Sequence, residues 1–184
     1  MNTNKLERFM IVLITVVYSL TTFSYKAEGL DSILTKEKFA ADLVKNKKEY
    51  YHKMKDGDIE GAEKYLQNVF DLRHKLDEQC DMDSLVLVEY NECLNNCMVA
   101  DSDFLEAEKA CAVTEEYAIY IIGLSFRMQD QIREQRSQGN QNEAYQKARE
   151  LNYIGNEIER LDDLYPEFDK NSSKALFYYM LMSF

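Results

Sequence analysis

The sequence holds one proline and six glycines in 184 residues. So few breakers exclude a turn-rich fold and leave room for long uninterrupted helices. No Gly/Pro/Ser-rich linker divides the chain, so the length fits one domain. Histidine is scarce, and His52 and His74 make no metal-binding pair; they read as surface or packing residues. A cationic surplus is also missing: 22 basic side chains face 33 acidic ones, a net charge of −11. An acidic body repels phosphate backbones and anionic lipid, which excludes nucleic acid as a partner. No nucleophile motif and no phosphate-cradling glycine loop occurs. The carboxylate pairs Glu115-Glu116 and Asp162-Asp163 most simply decorate helix ends. The expectation is a chain that is not an enzyme and holds no cofactor and no metal.

What is present begins with residues 9 to 25, which carry no charge and follow Lys5 and Arg8. A positive start, an apolar centre and a stretch with small residues form the layout of a secretory signal. Cleavage after Ser24 places Thr22 and Ser24 at the small-residue positions; cleavage after Ala27 puts Tyr25 at one of them. The alternative is an uncleaved signal anchor, because 17 uncharged residues approach the roughly 20 that span a bilayer. Either reading assigns residues 1–27 to export or anchoring. It places 28–184 outside the cytoplasm, periplasmic or secreted, with membrane contact only through the N-terminal segment.

From Leu34 onward the apolar residues fall at helical spacings, and nothing alternates as a strand does. Ile59, Ala62, Leu66, Val69 and Phe70 mark one helix face, with Asp58 at the N-cap and Gly57 releasing the helix before. A second helix is expected from about Asp83 to Val99, and the cluster Ala100-Asp101-Ser102-Asp103 caps the next. Thr114 then restarts the chain, since threonine caps and Glu115-Glu116 suit a positive helix end. Tyr117 to Met128 is apolar nearly all round and belongs at the centre. After a polar break at Arg136 to Asn142, Ala144, Ala148, Leu151, Ile154, Ile158 and Leu161 form one stripe, with Pro166 as a stop signal. Asn171-Ser172-Ser173 caps a last, very apolar helix over 172–184. Its apolar character is expected to be covered by a second copy, by a C-terminal continuation, or by burial into a groove.

A phrase recurs loosely three times, at Gly57-Asp58-Ile59-Glu60-Gly61-Ala62, at Ser102-Asp103-Phe104-Leu105-Glu106-Ala107, and at Gly139-Asn140-Gln141-Asn142-Glu143-Ala144. Aligning Ala62, Ala107 and Ala144 gives periods of 45 and 37 residues, within the range of stacked supersecondary units. The first copy, continued to Leu72, resembles the turn and second helix of a tetratricopeptide repeat. The second is similar through Asp103, Phe104 and Ala107, the third through Gly139 and Ala144. The first-helix positions of the family are mostly unmatched, with Tyr50 where a small residue is usual, and the repeats are longer. The resemblance implies an all-α fold: about three antiparallel hairpins plus a terminal helix, stacked as a right-handed α-solenoid. It also implies repeat-packing roles for Gly57, Ile59, Ala62, Phe104, Ala107, Gly139 and Ala144.

Four cysteines in an exported chain invite a disulfide reading. Cys93 and Cys111 lie almost symmetrically about a turn near residue 102, so a helical hairpin would set them at similar height; buried free thiols are the alternative. The spacings lack the paired short knuckles of a zinc site. Asn171-Ser172-Ser173 matches the glycosylation pattern, which matters only in a eukaryotic secretory pathway. The 13 tyrosines pack between helices or line a binding surface. The resulting expectation is an exported or membrane-anchored interaction scaffold that binds a peptide or protein. The alternative is the extracytoplasmic sensory portion of a larger membrane signalling protein.

Overall fold

The computed structural model describes residues 36–79 and 84–182. The apolar segment 9–25, both cleavage points, Cys80 and the last two residues lie outside them. Among the described residues every regular element is an α-helix. They are α1 over 36–55, then α2 (Ile59–Gln79), α3 (Ser84–Ala100), α4 (Ser102–Ala112), α5 (Glu115–Ser137), α6 (Gln141–Leu164) and α7 (Pro166–Met182). The fold is all-α, and no helix among the described residues is long and apolar enough to cross a membrane.

Local chemistry sets the joints. Gly57 and Gly139 adopt φ of 74° and 82°, the left-handed region that a side chain disfavours. Gly57 N–H donates to the Met54 carbonyl and Asp58 N–H to that of Lys53, at 3.1 and 2.9 Å. Gly139 and Asn140 donate to Arg136 and Gln135 in the same pattern. Both joints are Schellman caps, which satisfy terminal carbonyls and reverse the chain. Side-chain caps follow: Asp58 accepts from Gly61 N–H, Asp101 from Phe104 N–H and Thr114 from Tyr117 N–H.

The two glycine joints make true antiparallel hairpins, α1–α2 and α5–α6. The joint at Asp101 behaves differently. Phe104 and Cys111 stand two turns apart on α4, yet the Phe104 ring packs on the Tyr51 ring and Cys111 Sγ donates to the Tyr51 carbonyl. Helix α4 therefore lies on the C-terminal half of α1, with Asp101 and Asp103 at Lys48 and Asp103 also at His52, instead of running back beside α3.

Helix α1 is the hub. Phe39 meets Tyr90 of α3, Asn46 accepts from Asn68 of α2, Tyr50 and Tyr51 pack on Tyr117 of α5, and Lys47 reaches Glu157 of α6. Helix α2 also lies antiparallel to α6, through Phe70 on Tyr153, His74 beside Glu150 and Asp77 paired with Arg149. In a stacked solenoid each unit touches only its neighbours. Here the first hairpin packs directly on the α5–α6 hairpin, so the contacts depart from the expected open stack. The main core runs from Leu43 and Tyr51 through Val69, Phe104 and Ile121 to Ile154, Leu161 and Phe168, and a small second cluster gathers Leu76 and Tyr90.

Helix α7 starts at Pro166, five residues before the expected cap at Asn171. Proline suits the first helical position, where its missing N–H has no partner to lose. Phe168 is fully buried against Tyr117, and Ser172 donates to Asp162 at 2.7 Å, which ties the first turns to α5 and α6. Further along, Tyr179 stacks on Phe126 and fills the space over Gly123, where a Cβ would collide with its hydroxyl end. Leu176, Phe177, Tyr178, Met180, Leu181 and Met182 remain exposed.

Candidate functional site

Three charged residues occupy positions on apolar helix stripes: Lys47 between Leu43 and Tyr51, Glu108 between Phe104 and Cys111, and Glu157 between Ile154 and Leu161. All three are buried, Glu108 completely. Glu157 accepts from Lys47 Nζ at 3.0 Å, from the Tyr51 hydroxyl at 2.7 Å and from Arg160 Nη2 at 2.8 Å. Arg160 extends the network to Glu108, which also accepts from the Tyr165 hydroxyl at 3.0 Å. Buried charges of this kind persist when each is paired and hydrogen-bonded. Burial raises the pKa of the Glu157 carboxyl, but Lys47 and Arg160, with hydrogen bonds from Arg160 and Tyr51, outweigh it and hold the group well below the usual carboxylate range. Burial and the nearby carboxylates push the Tyr165 hydroxyl up to about 12. The network fastens α1, α4 and α6 together.

Above it opens a cleft of about 640 Å³, bounded by α2, α3 and α6 with Lys47 at its base. Its volume falls within the range of about 300–1,000 Å³ typical of ligand sites. Phe70, Leu94 and Met98 supply its buried apolar parts. The rest is polar. Helix α3 contributes Asn91 and Asn95, helix α6 contributes Asn152 and Asn156, and all four are exposed. Most of its cations are committed: Lys47 and Arg160 to the buried network, Arg149 to Asp77. His74 Nε2 stands 3.5 Å from Glu150 Oε1, which Lys147 also pairs.

Arg73 differs. Its guanidinium lies 5.2 Å from the centre of the Tyr153 ring and donates a long bond of 3.4 Å to Asn91 Oδ1. No carboxylate pairs it among the described residues, and its buried Nε has no hydrogen-bond partner there. A buried donor left unpaired costs about 1–3 kcal/mol. Comparison with protein-family profiles, curated proteins and solved structures gives no match to this chain. What the cleft can bind is therefore read from its own residues.

Of the sequence-predicted packing residues, Ala62, Phe104, Ala107 and Ala144 are buried at helix contacts, and Gly57 and Gly139 form the exposed reversals. Ile59 does not pack: it is 41% exposed at the first position of α2, beside the solvent-facing turn. The structure also separates Cys93 from Cys111. Cys93 lies beside Cys97 and within reach of the Lys36 and Glu37 charges, whereas Cys111 sits against Tyr51. From residue 37 to residue 51 a helix rises about 21 Å, far beyond disulfide reach. The placement of α4 on the C-terminal half of α1 is the reason, because it holds Cys111 at the level of Tyr51 while Cys93 lies further back along α3. Cys93, Cys97 and Cys111 are all free thiols, and burial pushes that of Cys111 up to about 11. A thiol so raised is a poor nucleophile.

His74 lines the cleft and His52 pairs with Asp103 on another face. Among the described residues no three His, Cys, Asp or Glu side chains gather as metal ligands. Sequence reasoning missed Lys47, Glu108, Glu157 and Arg160. A signal existed for the first three, since a charge at a stripe position demands a buried partner.

Proposed function

We propose that this chain is an extracytoplasmic helical scaffold for protein–protein interaction, exported or anchored through residues 9–25, which holds a peptide or protein in the cleft between α2, α3 and α6. The observation that carries the reading is the cleft itself: a polar concavity floored by a buried ion network, lined by exposed amides and arranged for contact rather than for chemistry. The tetratricopeptide-like part of the reading draws on the α1–α2 hairpin, its Gly57 reversal and buried Ala62. In this proposal the later helices fold back on that hairpin and the groove lies where they meet it.

The test is site-specific photocrosslinking in the native exporting cell, with the probe at Asn95 in the cleft or at exposed Glu134 on α5. A discrete polypeptide adduct from position 95 and none from 134 is the expected result. No adduct at 95, or equal labelling at both positions, contradicts the reading.

A second reading, the sensory portion of a larger membrane signalling protein, draws on the exposed apolar residues of α7, which suit contact with a further segment.

A further inference from the structure

Resting on the scaffold reading, we infer that the cleft takes an extended peptide bearing a carboxylate, with the carboxylate on Arg73 and the peptide main chain on the asparagine pairs. The asparagine spacing carries the peptide part. Asn91 and Asn95 are four residues apart on α3, as are Asn152 and Asn156 on α6. Four residues of helix rise about 6 Å. An extended peptide repeats its amides on one edge every two residues, about 6.6 Å. A side-chain amide carries donors and an acceptor, the complement of a peptide group. Each pair therefore matches one edge of an extended chain, and the pairs stand on separate helices. Among the described residues the side chains of Asn95, Asn152 and Asn156 make no hydrogen bond, so their amides face the cleft uncommitted.

The carboxylate part rests on Arg73. Every other guanidinium or ammonium lining the cleft has a carboxylate partner in the structure. Arg73 has none there; it is held by Tyr153 and Asn91, with a buried Nε that lacks an acceptor. Because the Nε is buried, the edge left for a ligand is that of the two Nη atoms, a planar pair matched to a carboxylate, and bidentate pairing of this type is strong and directional. Nucleic acid is disfavoured by the net charge of −11, while a single carboxylate meets one local cation without engaging the wider field. The carboxylate can come from an Asp or Glu side chain or from a peptide C-terminus.

The test uses the full chain and fluorescent octapeptide pools of mixed sequence in four forms: rich in Asp and Glu, or with these replaced by Asn and Gln, each with a free or an amidated C-terminus. The expected result is binding of carboxylate-bearing pools at least tenfold tighter than the neutral amidated pool. Persistence in the acidic amidated pool assigns the carboxylate to a side chain; restriction to free C-termini assigns it to the terminus. Arg73→Gln should abolish the preference. Asn95→Asp, at an exposed position that leaves packing intact, should weaken every pool by removing an amide donor to the main chain, and the carboxylate-bearing pools at least fivefold more than the neutral pool through the added like charge. Equal binding of all four pools, or a preference unchanged in both variants, overturns the inference while leaving the scaffold reading standing. Absence of binding by every pool overturns the inference as well, and the Asn95 crosslink then decides the scaffold reading separately.

Discussion

Glu157 keeps a carboxylate charged inside the protein, and the groups that allow it come from two helices far apart in sequence: Lys47 and Tyr51 from α1, Arg160 from α6 itself. Because the folded pKa is lowered from its ordinary 4.5, the stabilisation is complete above that value. It is lost as pH falls through the lowered folded value. Glu157→Gln leaves Lys47 buried beside a neutral group and should destabilise by about 3–5 kcal/mol at neutral pH. Urea unfolding checks this, and the gap between wild type and variant should narrow as the pH is taken well below 4.5. A gap that stays constant from neutral pH to strongly acidic pH contradicts the assignment. At this scale the sequence was partly legible. Asp58 and Thr114 read correctly as caps because capping is local. Lys47, Glu108 and Glu157 went unread: their one local mark is a charge on an apolar stripe, and their partners depend on which helices meet.

Helix boundaries followed the sequence closely wherever a glycine or a side-chain cap marked them. Gly57 and Gly139 end α1 and α5 in left-handed conformation, while Gly155 lies inside α6 with open space where a Cβ would stand. The two environments predict opposite effects. Gly139→Ala should destabilise by about 1–2 kcal/mol, because a Cβ is disfavoured at φ above zero. Gly155→Ala should stabilise by about 0.5–1 kcal/mol through helix propensity. Thermal unfolding of both variants checks the pair, and equal shifts in one direction would contradict the cap geometry. The start of α7 was less legible, since Pro166 reads equally as a stop for α6 and as the first residue of a new helix. The placement of α4 on α1 had no local mark at all: the capping cluster at residues 100–103 shows where the chain restarts, not which helix it then packs on.

At the scale of the molecule, the repeating phrase around Ala62, Ala107 and Ala144 located the helix openings but not the order in which hairpins pack. Contacts of high sequence separation decide that, and the pattern of one helix contains none of them. The α1–α2 hairpin lies against α5–α6, and the cleft opens beside that junction, where α3 faces α6 across α2 and Lys47 of α1. The asparagines that line it were invisible as a site in the sequence, because exposed amides on helices look like ordinary solvated positions until two helices face one cavity. Lys47 and Glu157 fasten α1 to α6, which closes the helices on one another and builds the cleft floor. Everything proposed for the cleft depends on that fastening. It is read out by a double-mutant cycle on Lys47→Met and Glu157→Gln, followed by urea unfolding of the full chain. A coupling energy above about 1 kcal/mol is expected, as for residues in one buried network; additivity within about 0.3–0.5 kcal/mol, the behaviour of independent sites, would contradict it.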